Sequence, residues 1–283
     1  AHAQTLPEER RLLFIKRHWQ TVRRAAEYLQ ASLNGSGLHR TAYDLWETFR
    51  GSFTYSNAAI YAAMRAAAAF ARAMGRPPLA DEWSAVARRV KQACFNILWN
   101  GQRFARGLNE RGEVDMTVDS SILGTVDPFE MLSLMDGNEL RMVESIVRSV
   151  EQTLSAPIDG GRGIRRFEWD SYVGGPPATV NTLWFVRVLL RLAKQYALTH
   201  DRARARALRE RATPYLLTCL QRTTPSGLLP ELMAGPHGKP YWAAPHGWAS
   251  ASLVFSVLLL DELGQLLQES PRELGVPLHN CTS

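Results

Sequence analysis

Residues 53–74 read FTYSNAAIYAAMRAAAAFARAM, an alanine-rich stretch without glycine or proline. Alanine has the highest intrinsic helix propensity, and Thr54 or Ser56 can cap a helix at this start. The Gly-Arg-Pro-Pro run at residues 75–78 ends the stretch, because glycine and proline interrupt helices. The sequence therefore predicts a helix from about Thr54 to Met74.

Helical patterns recur on both sides of this stretch. We expect Asp81 to cap the next helix and a short hairpin at residues 104–114, with almost no other strand. About eight helices then follow from the pattern, so we predict an all-α protein forming a single domain over residues 1–283. The further predicted helices cover residues 7–33, 82–99, 128–134, 137–154, 180–199, 201–221 and 247–269.

Composition and charge indicate a globular protein and disfavour a nucleic-acid partner. Hydrophobic residues make up 46% of the 283 residues and charged residues 21%, which is typical of a globular protein. The net charge of +6 comes from basic residues mixed with acids, as on solvated helix faces. This pattern disfavours a nucleic-acid partner, which a concentrated basic face would indicate.

Cysteine spacing and hydropathy bear on cofactors and compartment. Cys94 and Cys219 lie in apolar helical contexts and are expected to be buried free thiols, whereas Cys281 lies in an Asn-Cys-Thr sequon that matters only in a secretory setting. No metal-ligand spacing is present, so no metal or other cofactor is expected.

The longest apolar run, residues 253–260, is too short to span a bilayer, so no membrane partner is expected. No apolar segment opens the sequence, which is expected whether an export signal was removed or never existed. A bacterial cytoplasmic location is the expectation, with secretion as the alternative.

Two long loops hold charged and aromatic residues: residues 160–177 contain three arginines with Glu168, Trp169 and Asp170, and residues 225–245 contain Glu231 and Trp242. Indole rings can stack on the apolar face of a sugar, while carboxylates and guanidinium groups bind its hydroxyls. Glycoside hydrolysis needs two carboxyl groups, one to protonate the leaving oxygen and one to activate water or attack the anomeric carbon. Composition alone does not choose which two acids would act.

A series of motifs resembles glycoside hydrolase family 15, the glucoamylase family. The first is Asp-Leu-Trp-Glu at residues 44–47, followed by Phe-Thr-Tyr-Ser at residues 53–56. Further similar segments follow in the family's order, at residues 99–104, 119–124, 163–175, 182–184 and 227–248. Motifs that follow one another in the family's order are together far more specific than any one of them.

The resemblance implies a fold and roles for the matching residues. The family's catalytic domain is an (α/α)6 barrel of twelve helices, so we expect this chain to be its C-terminal two thirds, without the first helices. Glu47 would be the general acid and Glu231 the base that activates water for inversion, with their carboxyl groups about 6.5–9.5 Å apart. The implied substrate-binding residues are Trp46, Arg166, Asp170, Trp242 and Asp44, although for Asp44 bracing of its loop is the favoured role.

The expected activity is release of terminal α-linked glucose from starch- or isomaltose-like oligosaccharides. Two alternatives stay open: trehalose hydrolysis, and a non-catalytic or partner-dependent sugar-binding barrel. The second alternative draws on departures from the family pattern, such as Pro-Pro-Ala at residues 176–178 where Asn-Pro-Trp is usual. The missing N-terminal segment or an oligomer partner is expected to cover exposed apolar faces. Each candidate also has a structural reading: a surface or turn glutamate for Glu47 and Glu231, an ion pair for Arg166, and core packing for the two tryptophans.

Overall fold

The computed structural model of the protein describes residues 6–234 and 241–268. Seven α-helices dominate this part of the chain, which confirms the prediction of an all-α protein. They are α1 (Glu8–Ala31), α2 (Thr54–Ala73), α3 (Pro77–Ala93), α4 (Gly137–Leu154), α5 (Thr179–Leu198), α6 (Arg202–Gln221) and α7 (Gly247–Leu267).

Short strands are more numerous than the sequence indicates. One antiparallel sheet has the order β1-β2-β3-β4, and β5 pairs with β6 in a separate hairpin. The strands are β1 (Ala42–Tyr43), β2 (Arg50–Phe53), β3 (Gly107–Asn109), β4 (Val114–Asp115), β5 (Ser155–Ile158) and β6 (Gly161–Ile164). The hairpin predicted at residues 104–114 is confirmed as β3 and β4. The other strands escaped prediction because two to four residues are too few to show alternation.

Three local predictions were wrong. Helix α3 begins at Pro77, so Asp81 lies inside it instead of capping it; proline is favoured in a first turn because its φ is already helical. No helix forms over residues 128–134. Helix α2 has no side-chain cap, and the hydroxyl of Thr54 instead donates to the carbonyl of Ala105 at 2.7 Å.

The described residues fall into two compact units. The first lies within Ala1–Met116 and Pro128–Met131, and the second within Thr117–Asp127 and Leu132–Ser283. In the first unit, α2 packs against both α1 and α3. Its core includes the fully buried Trp83, whose ring lies 5.9 Å from that of Trp19. Burial of these apolar faces stabilises the unit.

In the second unit, α5 packs against α6 and α7. Helix α5 is buried on nearly all sides, as expected for a helix whose apolar residues surround its axis. Its two arginines Arg187 and Arg191 pair with the buried carboxylate of Asp127 at 2.7 and 3.0 Å. These ion pairs join α5 to the segment that precedes α4.

Among the described helices, α7 is the one long and apolar enough to cross a membrane by length and composition. One such helix is weak support for a membrane segment, since core helices meet the same criteria. One third of its most apolar window is buried in the structure. Exposed apolar side chains on this helix include Val254, Phe255 and Leu258.

Candidate active site

The loop between β1 and β2 carries Glu47 in the first unit. Asp44 closes this loop: its Oδ1 accepts hydrogen bonds from the backbone N–H groups of Thr48 at 2.8 Å and Phe49 at 3.0 Å. The backbone of Asp44 also donates to the carbonyl of Phe49 at 2.9 Å. Glu47 itself is exposed and has a φ of 55°, a left-handed conformation that non-glycine residues adopt rarely. The local fold therefore holds the proposed acid at the tip of a braced turn.

A buried arginine supports this loop from the sheet. The guanidinium of Arg106, 4% exposed, lies over the ring of Phe49 at 4.1 Å and pairs with Asp115 at 3.2 Å. The next residue, Gly107, pairs with Phe53 in the β2–β3 ladder. A Cβ at Gly107 would lie 2.3 Å from the carbonyl oxygen of Ser52, so glycine is required for this close pairing.

His39 joins the segment before the loop to strand β2. Its Nδ1 lies 2.6 Å from the carbonyl of Arg40, and its Nε2 accepts from the N–H of Phe53 at 2.7 Å. The backbone N–H of His39 donates to the side chain of Asn57 at 2.8 Å. Burial lowers the pKa of His39, because the charged imidazolium would lose its hydration. The ring therefore acts as a structural link, since both of its nitrogens are engaged by the backbone.

In the second unit, Arg166 and Asp170 form a bidentate ion pair. The Nε and Nη2 of Arg166 donate to the two carboxylate oxygens of Asp170 at 2.8 and 2.6 Å. Both side chains are almost entirely buried, at 9% and 2% exposure. Asp170 Oδ1 also accepts from the backbone N–H of Tyr172 at 3.0 Å. The pair thus fixes both the guanidinium plane and the loop that follows.

Tyr172 connects this ion pair to Glu231 and Trp242. The guanidinium of Arg166 lies 4.3 Å from the centre of the Tyr172 ring, and the ring of Trp242 meets it edge-on at 6.0 Å. Desolvation raises the pKa of Tyr172, and the nearby negative charge of Glu231 raises it further. The charge of Arg166 and a hydrogen bond with Trp242 act in the opposite direction. Sequence reasoning did not select Tyr172, although its place two residues after Asp170 was the signal that could have found it.

The backbone around Glu231 is held on both sides. Its N–H donates to the carbonyl of Ala243 at 2.9 Å, and its carbonyl accepts from the N–H of Thr179 at 2.9 Å. The N–H of His246 donates to the carbonyl of Leu229 at 2.9 Å. Burial lowers the pKa of His246, whereas the charge of Glu231 raises it. Hydrogen bonds therefore fix the backbone of Glu231, and its charge acts on the nearby imidazole of His246.

Gly175 allows the Asp170 loop to close. Its φ is 66°, and a Cβ there would lie 2.0 Å from the carbonyl oxygen of Asp170. Any other residue would push this carbonyl away and disturb the loop that carries the ion pair. The glycine pair in the sequence motif thus has a structural reason at its second position.

The predicted site residues divide between the two units. Asp44, Trp46 and Glu47 lie in the first, where Trp46 is half-buried. In the second unit, Tyr172 links the other four: Arg166, Asp170, Glu231 and Trp242.

Other residues singled out by the sequence have varied outcomes. Cys94 and Cys219 are buried free thiols, as predicted. The Asn-Cys-Thr sequon that contains Cys281 lies outside the described residues. No group of three or more His, Cys, Asp and Glu side chains within the described part of the chain could hold a metal ion.

Comparison with known proteins identifies the family. The sequence pattern of the glycosyl hydrolases family 15 matches residues 3–255. A relative from Methanocaldococcus jannaschii, the uncharacterized glycosyl hydrolase MJ1610, is 28% identical over 253 residues, which cover 88% of this chain and 38% of that protein. The chain belongs to glycoside hydrolase family 15.

Solved structures show the same fold. A bacterial glucoamylase complexed with acarbose is 18% identical with a TM-score of 0.63, over 88% of this chain and 38% of that one. The family 15 glucoamylase from Hypocrea jecorina is 17% identical with a TM-score of 0.64, over 86% of this chain and 48% of that one. The fold is that of the glucoamylases, which are (α/α)6 barrels. The chain spans less than half the length of these three relatives.

Proposed function

We propose that the protein is a glycoside hydrolase that releases terminal α-linked glucose from starch- or isomaltose-like oligosaccharides with inversion. Both units would belong to one catalytic domain, with Glu47 as the general acid and Glu231 as the general base. The observation that carries the proposal is the cluster of Arg166, Asp170, Tyr172 and Trp242 beside Glu231. This cluster combines a fixed cation, an exposed aromatic face and a carboxylate, which together suit a sugar ring.

The base step would take place at Glu231. In an inverting reaction, the base removes a proton from water as the water oxygen attacks the anomeric carbon. Backbone hydrogen bonds on both sides of Glu231 hold its Cα in place, which favours a defined position for the attacking water. The proton would move from water to a Glu231 carboxylate oxygen.

The acid step would take place at Glu47. Its carboxyl group would give a proton to the glycosidic oxygen as the bond to the anomeric carbon breaks. The turn closed by Asp44 projects Glu47 into solvent, where a substrate can reach it. After product release, Glu47 would regain a proton and Glu231 would lose one to solvent.

Arg166 and Trp242 would bind the sugar. The ion pair with Asp170 fixes the guanidinium, so its orientation toward sugar hydroxyls is set before binding. The indole of Trp242 is 55% exposed and can stack on the C–H face of a ring. Its φ of 70° is a strained conformation of the kind that persists at binding sites.

Product stereochemistry tests this proposal. The protein would be incubated with maltotriose, isomaltotriose and trehalose, and the released glucose followed by proton NMR before mutarotation. We expect β-glucose as the first free glucose from maltotriose or isomaltotriose, because it comes from the non-reducing end alone. α-Glucose as the first product would contradict inversion, and turnover of trehalose alone would favour that alternative specificity.

A second candidate is sugar binding without hydrolysis. Ala178 takes the position where the family usually has tryptophan, and it is 1% exposed with its N–H bonded to Ile164. This part of the second unit therefore offers a smaller aromatic surface than the family pattern does. Saturable binding of maltose and isomaltose without release of glucose would support this candidate, whereas turnover of either sugar would exclude it.

A further inference from the structure

Polar side chains occupy the first turn of α5, although this helix is buried on nearly all sides. Thr179, Asn181 and Thr182 are each 0% exposed. A polar side chain loses its hydration when it is buried, and this loss is costly unless hydrogen bonds replace it. The partners of these side chains therefore indicate what the turn does.

Asn181 is joined to the backbone of Arg166 through the hydroxyl of Ser120. The Nδ2 of Asn181 donates to Ser120 Oγ at 2.5 Å, and this hydroxyl donates to the carbonyl of Arg166 at 2.8 Å. The backbone N–H of Ser120 donates to the same carbonyl at 2.8 Å. Ser120 is itself 0% exposed. A chain of buried hydrogen bonds thus runs from α5 to the residue that carries the guanidinium.

The same turn holds the end of β6, just before Arg166. The hydroxyl of Thr182 accepts from the N–H of Ile164 at 2.8 Å and donates to the carbonyl of Ala178 at 2.9 Å. The N–H of Ala178 donates to the carbonyl of Ile164 at 3.0 Å. The start of α5 therefore fixes the chain at Arg166 and also two residues before it.

The backbone of Glu231 is bonded to this turn as well. The N–H of Thr179 donates to the carbonyl of Glu231 at 2.9 Å. The next residue, Leu232, pairs with Ala178 in an isolated β-bridge. The loops that carry the proposed base and the proposed sugar-binding arginine are far apart in sequence, yet both are bonded to one helix turn. This turn therefore fixes their position relative to each other.

Stability alone does not account for an asparagine at position 181. The Oδ1 of Asn181 is buried and has no hydrogen-bond partner among the residues that the structure describes. An unused buried acceptor costs free energy, whereas a buried pair of polar groups can be replaced by apolar groups of the same shape at little cost. Holding Arg166 through Ser120 is a role that an apolar side chain could not take.

We propose that Asn181 is a positioning residue for Arg166. Through Ser120, its amide holds the backbone of this arginine in a fixed place relative to Glu231, so that a sugar bound by the guanidinium meets the base. The inference rests on the proposed function, which assigns sugar binding to Arg166 and proton transfer to Glu231. The alignment of these two groups then comes from a turn that is closed to solvent.

The first measurement follows the guanidinium of Arg166 without substrate. Its Nε–H group, which donates to Asp170 at 2.8 Å, is observed by ¹⁵N NMR in the full chain and assigned with Arg166→Lys. Asn181→Leu and Ser120→Ala should each shift this signal and speed its exchange with solvent, because a looser backbone at Arg166 loosens the ion pair.

Ser256→Ala is the matched control for Ser120→Ala. The hydroxyl of Ser256 is also fully buried in the second unit and donates to a backbone carbonyl at 2.8 Å, that of Ser252 in α7. Loss of this hydroxyl should leave the Arg166 signal and its exchange rate unchanged.

The second measurement separates positioning from stability. The double variant Ser120→Ala/Asn181→Leu lacks both partners of one buried hydrogen bond and should unfold at a urea concentration no lower than the unsubstituted protein. Its kcat/KM on maltotriose or isomaltotriose should nevertheless fall about tenfold, which corresponds to one neutral hydrogen bond. The fall should be no greater than in the single variants, because each of them breaks the same link.

An Arg166 signal that is unchanged in both single variants would overturn the inference. Losses of kcat/KM that multiply in the double variant would overturn it too, because the two residues would then act independently. If Asn181→Leu does not fold, Ser120→Ala decides alone, since its backbone N–H still binds the Arg166 carbonyl. The proposed function fails separately: a protein that hydrolyses neither sugar still gives the Arg166 signal, which tests the positioning role by itself.

Discussion

The guanidinium of Arg166 and the carboxylate of Asp170 form two parallel hydrogen bonds, of 2.8 and 2.6 Å, four residues apart in one loop. Because the pair is buried, water cannot take the place of either partner when that partner is removed. The ring of Tyr172 covers the guanidinium at 4.3 Å, so the pair also fixes the aromatic group beside Glu231. A single ion pair therefore organises the proposed sugar site of the second unit.

Asp170→Asn should destabilise the protein by about 3–5 kcal/mol, the usual cost of removing one partner from a buried ion pair. Urea unfolding of the variant and the unsubstituted protein measures this difference. The matched control is Glu27→Gln, which breaks the exposed pair of Arg23 and Glu27, also four residues apart at 3.6 Å. The control should change stability by less than about 1 kcal/mol. Equal effects of the two substitutions would show that the buried pair has no special role.

Tyr172→Phe removes one neutral hydrogen bond, that with Trp242, and keeps the ring against the guanidinium of Arg166. Because Trp242 belongs to the proposed sugar site, kcat/KM should fall about tenfold. Initial rates on maltose and isomaltose give this value. Tyr196→Phe is the control: that hydroxyl donates to Glu144 at 2.5 Å, outside the proposed site. An unchanged kcat/KM for Tyr172→Phe would remove Tyr172 from the account of substrate binding.

Stability should fall as the pH drops below about 6.5, through His39 and His246. Burial lowers the pKa of both residues in the folded state from the ordinary value of 6.5, so the unfolded chain binds protons first as the pH falls. The stability that these two histidines contribute is complete above pH 6.5. It is lost as the pH falls from 6.5 to their pKa values in the folded state. Unfolding free energies measured between pH 5 and pH 8, for the unsubstituted protein and His39→Gln, test this. A pH slope below 6.5 that is the same in both proteins would contradict a role for His39.

Cys94 and Cys219 should resist thiol reagents in the folded protein. Burial raises the pKa of Cys94 to about 12 and that of Cys219 further, so neither forms a thiolate at pH 8. Labelling with a chromogenic disulfide should be slow in the native protein and complete in denaturant. A Cys281→Ser background makes the signal report on these two thiols alone. Rapid labelling under native conditions would show that one of the two buried environments opens readily.

The helices could be predicted because each is a long segment whose own residue types and apolar spacing are typical of a helix. The alanine-rich run of α2 and the end of α4 at Leu154 follow from propensity and spacing alone. Strand β2 was missed because its pairing with β3 is decided by residues far along the chain, such as Gly107 against Phe53. The predicted cap at Asp81 was wrong because the sequence does not distinguish a capping aspartate from a surface aspartate inside a helix.

The candidate site residues could be selected only through the resemblance to the family. Nothing local separates Glu231 from other glutamates, and its neighbours Tyr172 and Trp242 come from loops far apart in the sequence. Likewise, the close approach of Gly175 to the carbonyl of Asp170 is a property of the folded loop. The bonding of the loop backbone to Oδ1 of Asp44 needed coordinates as well, because the sequence shows the aspartate but not which oxygen the backbone uses.

The most direct test of the central claim is kcat for Glu47→Gln and Glu231→Gln on maltose and isomaltose, with folding checked by circular dichroism. Each substitution keeps the shape of the side chain and removes its acid–base chemistry. Each should lower kcat about 100- to 10,000-fold, while Glu110→Gln, at an exposed surface pair in the same unit as Glu47, should not. A folded Glu47→Gln or Glu231→Gln variant with the kcat of the unsubstituted protein would contradict the assignment of acid and base.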